Sequence, residues 1–364
     1  MNILHISTPR SWRGGEQQVA YLVQALHEAG IPQGVLCPAG ATLSTRSELQ
    51  GIEILSFQSR GPLGIHLAQC IAHLVRRGSF TLIHTHDSHA HTAAVLAATL
   101  FGMPLPVVVS RRVDFPVSPG PFSTWKYNHS AIHRILCVSE EIRKITGPAI
   151  RNKSILSVIR SGVDAGRYTT ANGRESLLLE LGLAPDTRLV GNLSALADHK
   201  DYPTWLRAAA CLRARDPQLH FVIAGSGPDE REIRHMITAL GLSTCVHLLG
   251  FRSDVAEVMS ALDVFMISSK TEGLGTIVIE AFAAGVPVVA TRAGGIPELV
   301  EDGVNGILCP VGDGMSLCAS VRRIFDEPGL AQRLGAAGKE RSHRFSFRST
   351  AAQTLEVYRQ ITGS

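Results

Sequence analysis

The chain of 364 residues is poor in the features that mark several whole classes of protein. Its longest apolar runs, such as "VFMI" and "AFAAGVPVVA", fall well short of the roughly 20 residues that cross a bilayer. The start, "MNILHIST", has no basic prelude and no small-residue cleavage site, so a secretion signal is not expected. Aromatic residues make up 5%, too few for a nucleic-acid stacking platform, and the basic residues form no single run. The seven cysteines are odd in number and never form C-x-x-C; most sit in apolar contexts where a free thiol acts as a small hydrophobe. A reducing cytoplasm is therefore the expected location. No internal repeat or low-complexity segment is present.

What remains is a soluble globular composition, 45% apolar and 18% charged, with enough chain for two cores. The net charge of +4 hides an asymmetry: residues 1–163 hold 15 Lys and Arg against 8 Asp and Glu, and residues 164–364 hold 20 against 23. A basic first half suits an anionic partner or surface; the plainer alternative is charge that only maintains solubility.

Short β-branched runs alternate with helical patterns almost throughout. Strands are expected at "NILHIS", "GVLC", "IEILSF", "TLIHTH", "LPVVVS", "RILCVS" and "SILSVI", then at "RLVGNLS", "LHFVIAG", "VHLLG", "DVFMIS", "PVVAT" and "GILC". Such alternation implies parallel sheets covered on both faces. The expected architecture is α/β, with two Rossmann-like doubly wound domains facing across a cleft: residues 1–163 and 164–346. The helical tail at about 347–364 is expected to return to the first domain. The polar stretch "RSGVDAGRYTT" is read as the link between them.

In "SKTEGLGTIVIEAFAAGVPVVAT", Glu272 precedes a glycine turn and Glu280 lies on the helix beginning near Thr276. The N–H groups of Gly275 and Thr276 at that helix start suit phosphate, and the carboxylates suit sugar and ribose hydroxyls. The plainer alternative is a first-turn carboxylate and a solvated face. Glycine turns recur in "VIAGSGPDE", expected to open a helix at Pro228, in "LLGFRSD" at Gly250 and Phe251, and in "AGGIPELVEDGVNG".

This combination, Glu272 and Glu280 followed by G-G-I-P-E and D-G-x-N-G, resembles the retaining glycosyltransferases of the GT-B fold, in the large E-x7-E group (glycosyl transferases group 1, family 4). The resemblance extends to "ISTPRSWRGGEQQVAYL", similar to the family's glycine loop after the first strand, where Gly14 and Gly15 admit close backbone approach. It implies a nucleotide diphosphate sugar donor in the second domain and a glycan or lipid-linked acceptor in the first, in cell-envelope or lipopolysaccharide-type synthesis. Peripheral contact with the inner leaflet goes with that reading, and nucleic acid does not.

The resemblance also implies roles. Lys200 meets the leaving diphosphate, Glu272 the donor sugar and Glu280 the ribose. Gly15, Gly225, Phe251, Gly275 and Thr276 line the donor. No D-x-D carboxylate motif is placed to hold a divalent ion, so neither metal nor cofactor is expected. The family carries H-x-H at the end of the fourth strand, and this maps onto His84-Thr85-His86, with His86 near the acceptor. A zinc reading of "LIHTHDSHAH" lacks a third and fourth ligand in H-E-x-x-H or cysteine-pair form. Arg111 and Arg112, after the fifth strand, suit phosphate or carboxylate; a surface pair is the alternative. Trp125, Lys126 and His129 are near the acceptor side but carry no signature. One departure is clear: Asn192 stands where the family has an arginine, and Lys200 comes eight residues later, against the family's usual five. Two further readings are a sugar-nucleotide epimerase of the same fold and an inactive nucleotide-sugar-binding subunit.

Overall fold

The structure, a computed structural model, describes residues 1–58 and 64–363. The chain divides into two compact units, residues 1–162 with 347–364, and residues 163–346. The change of unit therefore falls between Gly162 and Val163. "GRYT", within the expected link, is a helical turn of unit 2 with Tyr168 buried.

Unit 1 holds a wholly parallel seven-stranded sheet in the order β3-β2-β1-β4-β5-β6-β7. Its strands are β1 (Ile3–Ile6), β2 (Gln33–Pro38), β3 (Glu53–Phe57), β4 (Leu82–Thr85), β5 (Val107–Arg111), β6 (Ile132–Cys137) and β7 (Leu156–Val158). Unit 2 holds a parallel six-stranded sheet in the order β10-β9-β8-β11-β12-β13. These are β8 (Leu189–Leu193), β9 (His220–Ala224), β10 (Val246–Gly250), β11 (Val264–Ile267), β12 (Val288–Thr291) and β13 (Ile307–Cys309). Each expected strand forms, because near-continuous apolar runs such as "VVVS" and "VFMI" bury both faces under crossover helices.

Strand order reverses between β1 and β4 in unit 1 and between β8 and β11 in unit 2. Loops leaving the carboxyl ends of these strands diverge, which opens the crevice where doubly wound sheets bind ligands.

The tail helix Phe347–Thr362 packs on the helix Gly14–Glu28 within unit 1. Phe347 stacks on Tyr21 with ring centroids 4.9 Å apart, and Tyr358 is fully buried. In unit 2 the core centres on fully buried Trp205, whose indole N–H donates to the Met266 carbonyl at 2.9 Å.

Two expectations need correction. The helix after "VIAGSG" is Glu230–Ala239 and does not start at Pro228. The cysteines are not all free thiols: Cys211 and Cys318 form a disulfide between the helices Tyr202–Arg213 and Gly314–Asp326. The partners lie 107 residues apart, so no local spacing motif marks them. Cys37, Cys70, Cys137, Cys245 and Cys309 are free.

A loop of this length, closed in the unfolded chain, contributes up to about 4–5 kcal/mol in the chain-entropy model. Thiol titration of the denatured, unreduced protein should count five reactive thiols, and reduction should lower the melting temperature of unit 2. Seven thiols without prior reduction would contradict the pairing.

Candidate functional site

In unit 2, Lys200 follows β8 in a 3-10 turn, Asp198–Lys200. The next residue, Asp201, has φ 49°, the one non-glycine positive φ among the described residues. Its carboxylate accepts from the Thr204 N–H and caps the Tyr202–Arg213 helix. The Ser268 hydroxyl donates to the carbonyls of both Lys200 and Asp201, at 2.8 and 3.0 Å. The left-handed turn is thus held from two sides, and it aims the lysine at the end of β11.

Glu272 lies there. The Lys200 ammonium pairs with Glu272 Oε1, and the side chains are only 11% and 10% exposed. The Ser269 hydroxyl donates to the same oxygen at 2.7 Å. The backbone around Glu272 is clamped: the Gly295 N–H donates to its carbonyl at 3.0 Å. A Cβ on Gly294 would sit 2.0 Å from that carbonyl oxygen, so a side chain there is impossible without moving the loop. The two groups therefore form one hydrogen-bonded unit. The ammonium has three donors, of which the carboxylate takes one.

Gly275, with φ 85°, precedes the helix Thr276–Ala283. The first N–H groups of a helix have no intrahelical acceptor and carry its positive end. Glu280, half-buried on this helix, accepts from the Tyr168 hydroxyl at 2.6 Å. Burial raises its pKa to about 6, against the opposing pull of Tyr168 and Arg167.

Gly225 has a positive φ, and a Cβ there would lie 1.9 Å from the Ser194 carbonyl oxygen. This glycine lets the loops after β8 and β9 touch. Phe251 follows Gly250 and is 62% exposed. Asn192 is fully buried in β8, and neither of its amide atoms has a partner.

In unit 1, Gly14 and Gly15 form the first turn of the helix Gly14–Glu28, and Glu16 accepts from the Arg13 N–H at 2.9 Å. Asp87 caps the helix Ser88–Phe101 and also accepts from the N–H and hydroxyl of Thr8, both at 2.7 Å. This ties the β1 and β4 loops together at the strand-order reversal.

His84 and His86 lie on one side of the strand, as alternation requires, with tilted rings and centroids 4.1 Å apart. The third imidazole that the sequence did not offer arrives from β1: His5, whose Nδ1 lies 3.0 Å from His86 Nε2. The three rings bring ligand atoms within 4.8 Å of one another, the grouping among the described residues with metal-ligand spacing. Their nitrogens are largely spent, however. His84 bonds Tyr358 and Ser110, and His86 Nδ1 faces Arg112 Nη2 at 3.4 Å. Arginine can only donate, so His86 Nδ1 accepts and its Nε2–H donates to His5. A cation would have to break that bond beside a guanidinium, so the donor set does not fit a metal.

Burial holds His86 well below its ordinary pKa, with His84, Arg112 and His5 adding to the effect, so the ring is neutral. Both its ring nitrogens are engaged inside unit 1, and its carbonyl accepts from Arg112 Nη1 at 3.2 Å. Arg112 is half-buried and lines a small cavity with Ser110, Ser161 and Gln18. Arg111 ends β5, is buried, and donates inward to the Phe115 carbonyl.

Tyr168, Ser269, His5 and Tyr358 were not legible as site residues. Only Ser269 had a local signal, three positions before Glu272.

Residues 12–167 match the family model described as Glycosyltransferase Family 4, and residues 174–341 match that for Glycosyl transferases group 1. The chain is 27% identical over 304 residues to the putative glycosyltransferase EpsD of Bacillus subtilis, covering 82% of this chain and 74% of that protein. It is 25% identical over 330 residues to the lipopolysaccharide core biosynthesis glycosyltransferase LpsE of Rhizobium meliloti, covering 90% of each. Among solved structures, Anabaena Alr3699/HepE in complex with UDP and glucose superposes with a TM-score of 0.84 at 25% identity, covering 98% of this chain and 99% of that one.

Removing one partner of a buried ion pair costs about 3–5 kcal/mol, and replacing both costs much less. Glu272→Leu should therefore lower the unfolding midpoint strongly, and Lys200→Met with Glu272→Leu should recover most of the loss in a denaturant double-mutant cycle. Additive losses would show that the pair is not coupled.

Proposed function

Because the chain belongs to the group 1 glycosyltransferases of the GT-B fold, we propose that it moves a sugar from a nucleotide diphosphate sugar to an acceptor hydroxyl of a cell-envelope glycan, with retention of anomeric configuration. The observation that carries this is the buried Lys200–Glu272 pair at the β8/β11 reversal. The family resemblance of the Glu272–Glu280 segment supports it. So do the UDP and glucose in the Anabaena relative and the lipopolysaccharide role of the Rhizobium one.

In this reading, unit 2 binds the donor. As the bond between the anomeric carbon and the β-phosphate oxygen breaks, charge develops on the phosphate. The donors of Lys200 left free by Glu272, and the helix start at Gly275–Thr276, stabilise it as preorganised electrostatics do. Glu272 holds the ammonium in place and reaches the donor sugar. The acceptor oxygen bonds to the anomeric carbon on the face that the phosphate leaves, and its proton passes to a phosphate oxygen. Glu280 accepts from the ribose hydroxyls, with Phe251 and Gly225 on the same sheet edge. Neither metal nor cofactor is required for these steps. Unit 1, through His86, Arg111 and Arg112, serves the acceptor, and a lipid-linked acceptor would bring the enzyme to the inner leaflet as a peripheral protein. Among the described residues no helix is long and apolar enough to cross a membrane.

Lys200→Ala should raise the barrier of sugar transfer by about 2–4 kcal/mol, the range for a lost charge-stabilising donor. A rate near wild type, measured where the variant is folded, would remove Lys200 from the chemistry. Glu280 is ionised above pH of about 6 and neutral below it. UDP affinity, measured by calorimetry, should thus be constant above neutrality and fall as the pH drops through that value. Glu280→Gln should bind weakly at every pH; an unchanged pH profile in that variant would refute the ribose contact.

A further inference from the structure

Unit 1 contains two buried cations with no ion-pair partner among the described residues. Lys126, on the helix Pro121–Tyr127, is 6% exposed, and Arg111 is 5% exposed. Both lie near the ring of Tyr127, at 5.3 and 5.9 Å from its centroid. Among the described residues, neither has a carboxylate within ion-pair distance. Asp87, the acid whose charge reaches Lys126, is hydrogen-bonded elsewhere, to Thr8, His89 and Ala90. The Lys126 ammonium donates to the hydroxyls of Ser88 and Thr92, at 3.1 and 3.2 Å, which leaves one donor over. Those hydroxyls belong to the first turns of the Ser88–Phe101 helix, whose positive end adds to the same field.

Two polar groups beside the cations are also unsatisfied. Arg111 Nε has no partner, and neither ring nitrogen of fully buried His91 has a well-formed one. The His91 ring stands edge-on to Tyr127, with centroids 4.8 Å apart. Burial, reinforced by Lys126, keeps His91 neutral, and burial followed by Arg111 lowers the Lys126 pKa to about 8. A fold that desolvates two like charges and leaves donors over is costly unless something negative completes it. The guanidinium of Arg111 lies over the ring of Phe115, 5.2 Å from its centroid, and Phe115 is itself 57% exposed.

We infer that Lys126 and Arg111, with Ser88, Thr92 and His91, form an oxyanion site that takes a phosphate or carboxylate group of the acceptor. The assignment of the anion to the acceptor rests on the transferase reading; the anion site itself does not.

The test is thermal unfolding of the full chain in sodium phosphate, sodium acetate and sodium chloride at equal ionic strength. Saturating UDP is present throughout to occupy a donor phosphate site. A saturable rise in melting temperature with phosphate, absent in chloride, is expected, as for any ligand that binds only the folded state. Lys126→Met should abolish it and Arg111→Gln should weaken it. A rise with phosphate alone points to a phosphorylated acceptor, and a rise with acetate as well to a carboxylate-bearing one. No saturable rise with either anion, or a rise that survives Lys126→Met, overturns the proposal. Should Lys126→Met fail to fold, Thr92→Val removes one positioning hydroxyl and must shift half-saturation to higher anion concentration. Calorimetric titration of wild type with UDP reads the donor site separately, so failure of the transferase reading leaves the anion result interpretable.

Discussion

Parallel strands cannot be joined by hairpins; each must be followed by a crossover that returns over one face of the sheet. Every strand of both sheets here is parallel, so the chain leaves the carboxyl edge seven times in unit 1 and six times in unit 2. Many of the chemically distinctive groups sit at or past those exits. Thr8 and the Gly14–Gly15 turn follow β1, His86 and Asp87 follow β4, and Arg111 closes β5. Lys200 follows β8, Gly225 follows β9, Phe251 follows β10, Glu272 follows β11, and Gly294 follows β12. Where strand order reverses, consecutive exits turn away from each other, and that is where the two most deeply tied arrangements occur: Asp87 on Thr8 in unit 1, Lys200 on Glu272 in unit 2.

The two units treat buried charge differently. In unit 2 the lysine is paired, the glutamate takes a second bond from Ser269, and glycines at 294 and 295 let the neighbouring turn press onto the glutamate backbone. The Lys270 N–H donates to the His199 carbonyl at 2.8 Å, which fastens the two loops that carry the pair. The pair is thus held in place by bonds made within unit 2 itself. In unit 1 the buried cations at Arg111 and Lys126 are bonded to neutral oxygens. The positive balance of residues 1–163 thus has a local structural counterpart.

The histidine-rich segment shows how a local pattern acquires meaning. Read alone, "HTHDSHAH" offers four imidazoles and no clear purpose. In the fold they separate into three roles: His84 is anchored by Tyr358 and Ser110, His86 orients Arg112, and His91 lies among the buried cations. His89 remains on the helix surface. A metal reading fails on hydrogen-bond arithmetic rather than on ligand count, since β1 does bring His5 into range.

Apolar runs alternating with helical patterns were sufficient by themselves to indicate every strand and the α/β class, because burial on both faces leaves a near-continuous apolar run within a few residues. Lys200, Glu272, Glu280 and the glycine turns were legible for the same reason: each belongs to a short contiguous motif. Only tertiary structure decided which of these groups touch. Lys200 and Glu272 are 72 residues apart, His84 and Tyr358 are 274, and Cys211 and Cys318 are 107. Pairings over such distances depend on strand order and helix packing, which no local window encodes. Tyr168 was hidden for a related reason: a polar, glycine-bearing stretch reads as linker until the fold sets its hydroxyl against Glu280.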